Sequence, residues 1–489
     1  MSRTIKIDPI TRLEGHGKIE IFLNDDGSVQ DCYFQIPELR GFERFVVGRP
    51  IEELPRIVTR ICGVCPASHH MASAKAVDGC FGDECPQVAH KLRDMYYHAH
   101  YVHSHIAHFY ALAAPDFVCG PDCDPATRNI LGVVAKVGLE IGGQVIQARS
   151  LAQKIQSTLG GRTTHLVWCL PGGVAKGINK HELEEIKGMV KVLSGFADFS
   201  LQLFRDVVLA NPTYVDIIVN GPYNLAIQQM GLVDDNNAPN YYHGKVRVVD
   251  YQGKELCRYA PKDYMHHVAE HVEPWSYLKF PYLKQRGWKG FVEGIDSPMY
   301  CATPLSRCNV ADRMATPRAQ AAWEEMFKTL GGKPCRMLLA NHWARLVEMQ
   351  QNVEMLERYC ADPEITSPEY RVVPSRITGE GVGIVEAMRG TLTHHYTCDK
   401  NGICTSANLI VGTTNNNGPI HMATKKVATA LIQPGKTPDQ GLLNMIEMAF
   451  RAFDPCFSCA THSLPGQMPL EVRAWRRGEL AWELKRGLD

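Results

Sequence analysis

The chain of 489 residues is 45% hydrophobic and 21% charged, which supplies a large core and excludes a disordered or fibrous protein. Its 52 basic residues balance 52 acidic ones, so no electrostatic footprint for nucleic acid or an anionic membrane surface is present. No apolar run is long enough to span a bilayer and Met1 to Lys6 lacks an apolar signal region, so the expected compartment is the cytoplasm. The 17 cysteines are odd in number and irregularly spaced, which reads as reduced thiols and metal ligands.

In chain order, residues 4–36 predict antiparallel strands, with Ile19, Ile21 and Leu23 alternating and Asp25-Asp26-Gly27 as a turn. Thr11 to His16 is a charged loop between them. Glu38, Arg40, Glu43, Arg44 and Arg49 crowd the segment before the first cysteine pair. Residues 88–113 carry apolar side chains at three- and four-residue steps and predict a helix. That helix also bears His98, His100, His103, His105 and His108, which point around it and read as satisfied or solvated histidines rather than a metal cluster. Helices are also predicted at 128–158, 181–209, 318–330, 335–360 and 438–452. Strands are predicted over 380–412, with a hairpin turn at Asp399 to Gly402, and Asn415 to Gly418 opens a loop. The expected architecture is mainly α with small peripheral sheets (α+β), a central helical bundle in one domain.

Two stretches carry the chemistry. Cys62-Gly63-Val64-Cys65 is followed by His69, and Cys456-Phe457-Ser458-Cys459 by His462. Four thiolates select soft or borderline metals. Spacing alone leaves a structural zinc, an iron–sulfur cluster and a catalytic metal open. A locally closing zinc does not need partners at opposite ends of the chain.

The flanking residues narrow the choice. Arg60-x-Cys62-Gly63-x-Cys65-x-x-x-His69 and Asp454-Pro455-Cys456-x-x-Cys459-x-x-His462 resemble the two signature motifs of nickel–iron hydrogenase large subunits. The resemblance extends to Arg12-x-Glu14-Gly15-His16, Arg40-Gly41-Phe42-Glu43 with Gly48-Arg49, and Glu386-Ala387-x-Arg389-Gly390. It implies the catalytic subunit of a hydrogenase, cleaving dihydrogen reversibly and heterolytically at a nickel–iron centre whose iron carries carbon monoxide and cyanide. Cys62 and Cys456 would be terminal nickel ligands, and Cys65 and Cys459 would bridge nickel and iron. Arg389 would stand over the open position, ion-paired to Asp116 or Asp454, and act with Cys456. Glu14 would relay protons, unless it merely pairs with Arg12. His69 would orient a bridging sulfur, and Thr413 or Thr414 would donate to a cyanide. Glu43 and His462 would hold a structural magnesium or iron.

The resemblance also implies partners: an iron–sulfur small subunit, further electron-transfer subunits and a maturation endopeptidase. The body would be residues 1–462, and the endopeptidase would remove the extension 463–489. Arg49 to Glu53, Ala76 to Gly82 and Gly379 to Gly383 place the chain nearest the methyl-viologen-reducing, heterodisulfide-reductase-linked group. The NAD-linked bidirectional type, with diaphorase-like partners, is the alternative. A dihydrogen sensor is a third reading, which the tail opposes because sensors generally lack it. Two departures stand out: Met388 replaces the proline usual before the arginine, and Leu166 replaces the proline after Gly160-Gly161-Arg162-Thr163-Thr164-His165.

Overall fold

The computed structural model describes residues 3–36, 41–82, 85–460, 470–476 and 479–486. It opens with β1 (Arg3–Ile7), β2 (Lys18–Leu23) and β3 (Val29–Gln35), an antiparallel sheet in that order. The register pairs Ile7 with Ile19 and Ile21 with Cys32, so one face of the pleat is apolar and buried. The loop between β1 and β2 is left to carry Glu14 inward.

Directly after the first cysteine pair comes α1 (Pro66–Cys80), with Pro66 in its first turn, where a missing N–H has no cost. Then α2 (Gln87–Ala107) continues as π-helical turns over His108–Ala113 and Pro115–Cys119. The pattern over 128–158 splits in two, because Gly138 takes a φ of +91° between a helix at Ile130–Val137 and α3 (Leu139–Gly160). The capping box of Asn179 and Glu182 starts α4 (Lys180–Phe204).

A mixed region contributes β4 (Gln228–Val233), β5 (Lys245–Val249) and β6 (Glu255–Tyr259). After it come α5 (Pro304–Val310), α6 (Pro317–Thr329) and α7 (Asn341–Ala361). The bundle at the centre forms as α2 packs on α3 and α7, and α7 on α4.

The antiparallel sheet of β7 (Glu380–Ala387), β8 (Gly390–Cys398) and β9 (Cys404–Ile410) is internal, not peripheral: β7 lies against α1. Glycines set that approach. A Cβ at Gly381 or Gly383 would stand 1.9 Å from the carbonyl oxygen of Ala76 or Ala72. The Met388-Arg389 turn joining β7 to β8 is thereby pressed into the middle of the molecule.

One further expectation needs correction. Asn415 to Gly418 does not open a loop; it leads into α8 (Asn417–Leu431), followed by α9 (Gln440–Arg451). The asparagine amides, which read as turn formers, instead satisfy buried carbonyls of other segments: Asn415 donates to Thr391 and Val411, Asn417 to Lys279. In the tail, β10 (Leu470–Arg476) pairs with β11 (Glu479–Arg486) in an antiparallel hairpin. The two-residue spacing of Leu480, Trp482 and Leu484 is a strand period.

Candidate metal centre

The fold brings the chain's two ends together at four sulfurs. The Sγ atoms of Cys62, Cys65, Cys456 and Cys459 all lie within 4.8 Å of one another, and all four residues are buried. The pairs Cys62–Cys456 and Cys65–Cys459 are each 3.2 Å apart, and Cys456–Cys459 are 2.7 Å apart. Among the described residues, no other group of three or more histidine, cysteine or acidic side chains is arranged to hold a metal. The histidines of α2 each find a protein partner instead: Asn352 for His98, Gln156 for His100, Arg149 for His103, Glu348 for His105 and the Arg451 carbonyl for His108. They are buried rather than solvated, each bonded through one ring nitrogen while the other finds no hydrogen-bond partner among the described residues.

The two pairs are held by backbone. Cys62 ends a 3-10 turn, and its sulfur accepts the N–H groups of Val64 at 3.1 Å and Cys65 at 3.3 Å. His165 buttresses this loop through the Thr59 carbonyl at 2.9 Å. Cys456 is fixed to Glu14 by a backbone bridge, Phe457 N–H donating to the Glu14 carbonyl at 3.0 Å. Asp454 and Arg12, two residues before Cys456 and Glu14, both take left-handed backbone, with φ of +54° and +58°. Such strain in non-glycine residues persists only where the surroundings impose it.

Burial opposes a thiolate at Cys62, but donors from Cys456, Cys459 and Cys65 outweigh it and hold its pKa well below the usual thiol value. Burial pushes the Cys456 and Cys459 thiols well up. Metal ligation needs thiolates, so loading this site releases protons. The donor set of soft sulfurs fits nickel and iron.

Cys456 donates to Glu14 Oε2 at 3.0 Å, and the Ser458 N–H donates to the same oxygen at 3.1 Å. Burial, with charge on Cys62, raises the half-buried Glu14 carboxyl above its ordinary pKa. Arg12 is turned away from Glu14: it donates to Asp116 at 2.5 Å, Asn444 at 2.7 Å and the Leu112 carbonyl at 3.1 Å.

Of the two carboxylates weighed for Arg389, Asp454 is the one it meets, Nη2 lying 3.1 Å from both oxygens. Arg389 Nη1 donates to Ser104 at 3.4 Å, and its Nε has no partner among the described residues. Burial would lower its pKa, but Asp454 and the cysteine sulfurs drive it above the ordinary guanidinium value. A small cavity is lined by Cys65, Cys456, Cys459, Ser68, His69, Ala387, Arg389, Leu392 and Thr413; Cys62 does not reach it. Thr413 Oγ1 accepts the Cys456 N–H at 3.0 Å, and His69 Nδ1 meets His394 Nε2 at 3.1 Å. Met388 is fully buried, 3.9 Å from the Ser68 hydroxyl.

Asp116 belongs to a different cluster, the Arg12 pair and Arg451 at 2.7 Å. Burial alone would raise its carboxyl; Arg451 and Arg12 overcome that and hold it below the ordinary 3.8. Asp116→Asn takes the carboxylate from Arg12 and leaves Arg451 with Glu447 alone, and denaturant titration should show a loss of about 3–5 kcal/mol. The contribution is present above the unfolded-state value and lost as pH falls through the lowered pKa, so wild type and variant should converge in acid. Equal stability at neutral pH would refute this role.

Glu43 is buried, accepts the Leu409 N–H at 2.8 Å and lies 3.4 Å from Lys279 Nζ. Burial pushes its carboxyl up to about 7. Its expected co-ligand His462 and the motif residue Arg40 lie outside the described residues. The motifs did not point to Arg307, Glu348 or Asn416, all buried beside the Arg389 turn; Arg307 sits on α5, Glu348 on α7 and Asn416 in the 3-10 turn before α8, where no spacing marks them.

The comparisons agree with this geometry. A family model described as nickel-dependent hydrogenase matches residues 40–126 and 226–462, and one described as HoxL-like matches residues 4–39. The chain is 48% identical over 479 residues to an F420-non-reducing hydrogenase iron-sulfur subunit of Archaeoglobus profundus, covering 98% of each. It is 37% identical to the NAD-reducing hydrogenase HoxS subunit beta of Cupriavidus necator, over 96% of this chain and 97% of that one. Its fold is similar to the crystal structure of an NAD+-reducing NiFe-hydrogenase in the H2-reduced state, with a TM-score of 0.88 over 94% of this chain and 99% of that one.

Proposed function

The chain belongs to the nickel-dependent hydrogenase family as the catalytic subunit, with dihydrogen as its substrate, and from that premise we propose how its residues divide the work. Cys62 and Cys456 would hold nickel, and Cys65 and Cys459 would hold it together with an iron carrying carbon monoxide and cyanide. The cavity supports this division, since it reaches the second pair and Cys456 but not Cys62. Ala387 and Leu392 give it an apolar wall, while Thr413 and Arg389 give it donors, which suits diatomic ligands of both kinds. When bound, the nickel–iron centre supplies the redox-active site at which dihydrogen is split heterolytically.

The chain's own part is to receive and move the proton. The observation that carries the reading is Cys456, a cluster thiol within hydrogen-bond reach of the Glu14 carboxyl at 3.0 Å. Glu14, with its raised pKa and half-exposed position, takes the proton from Cys456 and passes it outward. Asp454 holds the Arg389 guanidinium over the cavity. Glu43 and His462 would hold a magnesium or iron ion.

Electrons leave through an iron–sulfur small subunit. We place the assembly in the cytoplasm, feeding a heterodisulfide-reductase-like complex; the higher identity to the F420-non-reducing relative supports that over a diaphorase-like partner. No helix among the described residues is long and apolar enough to cross a membrane. The functional body is a single domain, residues 1–462, and a maturation endopeptidase removes 463–489. The family match ending at residue 462 supports that cut, and the tail disfavours a dihydrogen sensor.

Elemental analysis and infrared spectra of the chain purified with its small subunit test the centre. Stoichiometric nickel is expected, with carbonyl and cyanide stretches. An active preparation free of nickel and of those stretches would sink the reading.

A further inference from the structure

We infer that Arg307 is a positioning residue for Arg389, acting through the backbone of the turn that carries it; the inference rests on the role proposed for Arg389. That turn is only two residues, Met388 and Arg389, between the paired Ala387 and Gly390. Among the described residues the Arg389 side chain has few fixed polar contacts of its own: Asp454, a 3.4 Å bond to Ser104, and an Nε without a partner. Its direction is therefore set from the main chain.

The main chain is clamped at three successive carbonyls. Arg307 donates to Ala387 O and Met388 O, both at 3.1 Å, and Asn416 Nδ2 donates to Arg389 O at 2.8 Å. Behind the turn, a Cβ at Gly390 would stand 2.4 Å from the Gly412 carbonyl oxygen, so no bulkier residue could let the strand sit as close.

Arg307 is itself fixed by a saturated fork. Its Nε and Nη2 meet the Glu348 carboxylate at 2.5 and 2.8 Å, and its Nη1 meets Glu386 at 3.1 Å. With the two carbonyls, all five guanidinium N–H groups are used. Glu386 in turn accepts the Leu232 N–H and the Thr391 hydroxyl, each at 2.8 Å, and Glu348 meets His105 at 2.9 Å. Arg307, Arg345 and Arg389 face Glu348, Glu386 and Asp454, three charges of each sign in one buried cluster. Lysine in place of Arg307 keeps the charge but cannot span two carbonyls and a bidentate carboxylate from one nitrogen.

A double-mutant cycle in the enzyme with its small subunit tests the inference. Arg307→Lys should slow dihydrogen-driven dye reduction about 10- to 100-fold, the scale of a displaced reacting group, with carbonyl and cyanide stretches retained. In an Arg389→Lys background the same substitution should add no further loss. A purely structural role would multiply the two losses, and that result overturns the inference, as does wild-type turnover in Arg307→Lys. Wild-type turnover in Arg389→Lys alone would instead remove the role proposed for Arg389. Should Arg307→Lys fail to load metal, the cycle is run with Asn416→Ala, which unclamps the Arg389 carbonyl without changing charge; additivity there overturns the inference.

Discussion

Cys456→Ser should abolish dihydrogen uptake, by at least about 10³-fold, the scale of losing one member of a group that acts as a unit. The sulfur of Cys456 stands 3.2 Å from Cys62, 2.7 Å from Cys459 and 3.0 Å from the Glu14 carboxyl. It is the one cluster atom placed to serve both as a metal ligand and as the first stop of a leaving proton. Serine leaves the backbone bond to Thr413 in place, so the fold should survive. The oxygen, however, is a hard donor where a soft one is needed, and a serine hydroxyl does not ionise in this pH range. Nickel content and viologen reduction should fall together. Nickel-loaded protein with undiminished turnover would take Cys456 out of the mechanism.

Legibility in the sequence followed apolar spacing rather than burial. The α4 helix shows one apolar stripe, and α2, although buried nearly all round, keeps a regular apolar step, so periodicity finds both. Most of α7 is buried all round, yet it carries Arg345 and Glu348 inside, so an apolar pattern says nothing of their purpose. Cysteine spacing alone left zinc and iron–sulfur alternatives open, and the residues flanking the pairs resolved them. The internal position of β7 to β9 was hidden because it depends on Gly381 and Gly383 meeting α1, a contact between segments about 300 residues apart.

Asn415 to Asn417 were misread for a chemical reason. Asparagine favours turns because its amide competes with the backbone, and here the amides do compete, but for carbonyls far away in sequence. The left-handed backbone at Arg12 and Asp454 has no sequence signature, since neither is glycine. Pairing of Arg389 with Asp454 rather than Asp116 was likewise undecidable from spacing. It follows from Arg12 and Arg451 having already claimed Asp116.

That pairing decides what Arg389 does, and Arg389→Lys measures it. Two roles are open to a guanidinium beside a metal centre: a base that takes a proton, or a fixed positive donor that polarises what lies in front of it. Burial alone would favour the neutral base. Asp454 and the sulfurs of Cys456, Cys65 and Cys62 act the other way and win, holding the group protonated above its ordinary value. The donor role follows, with Glu14, whose carboxyl burial raises above its ordinary pKa and which accepts from Cys456, left to carry protons. Lysine keeps the charge and can still meet Asp454, but it loses the planar fork and the Nε N–H that has no partner among the described residues. Loss of a pre-organised donor costs about 10²- to 10³-fold in turnover. Arg389→Lys should therefore slow dihydrogen uptake on that order, with nickel content and the carbonyl and cyanide stretches retained. Because the wild-type group does not act by deprotonating, the acid limb of the pH–rate profile, set by Glu14, should stay where it is. A shift of that limb would assign proton transfer to Arg389 after all, and unchanged turnover would leave it only an ion-pair partner of Asp454.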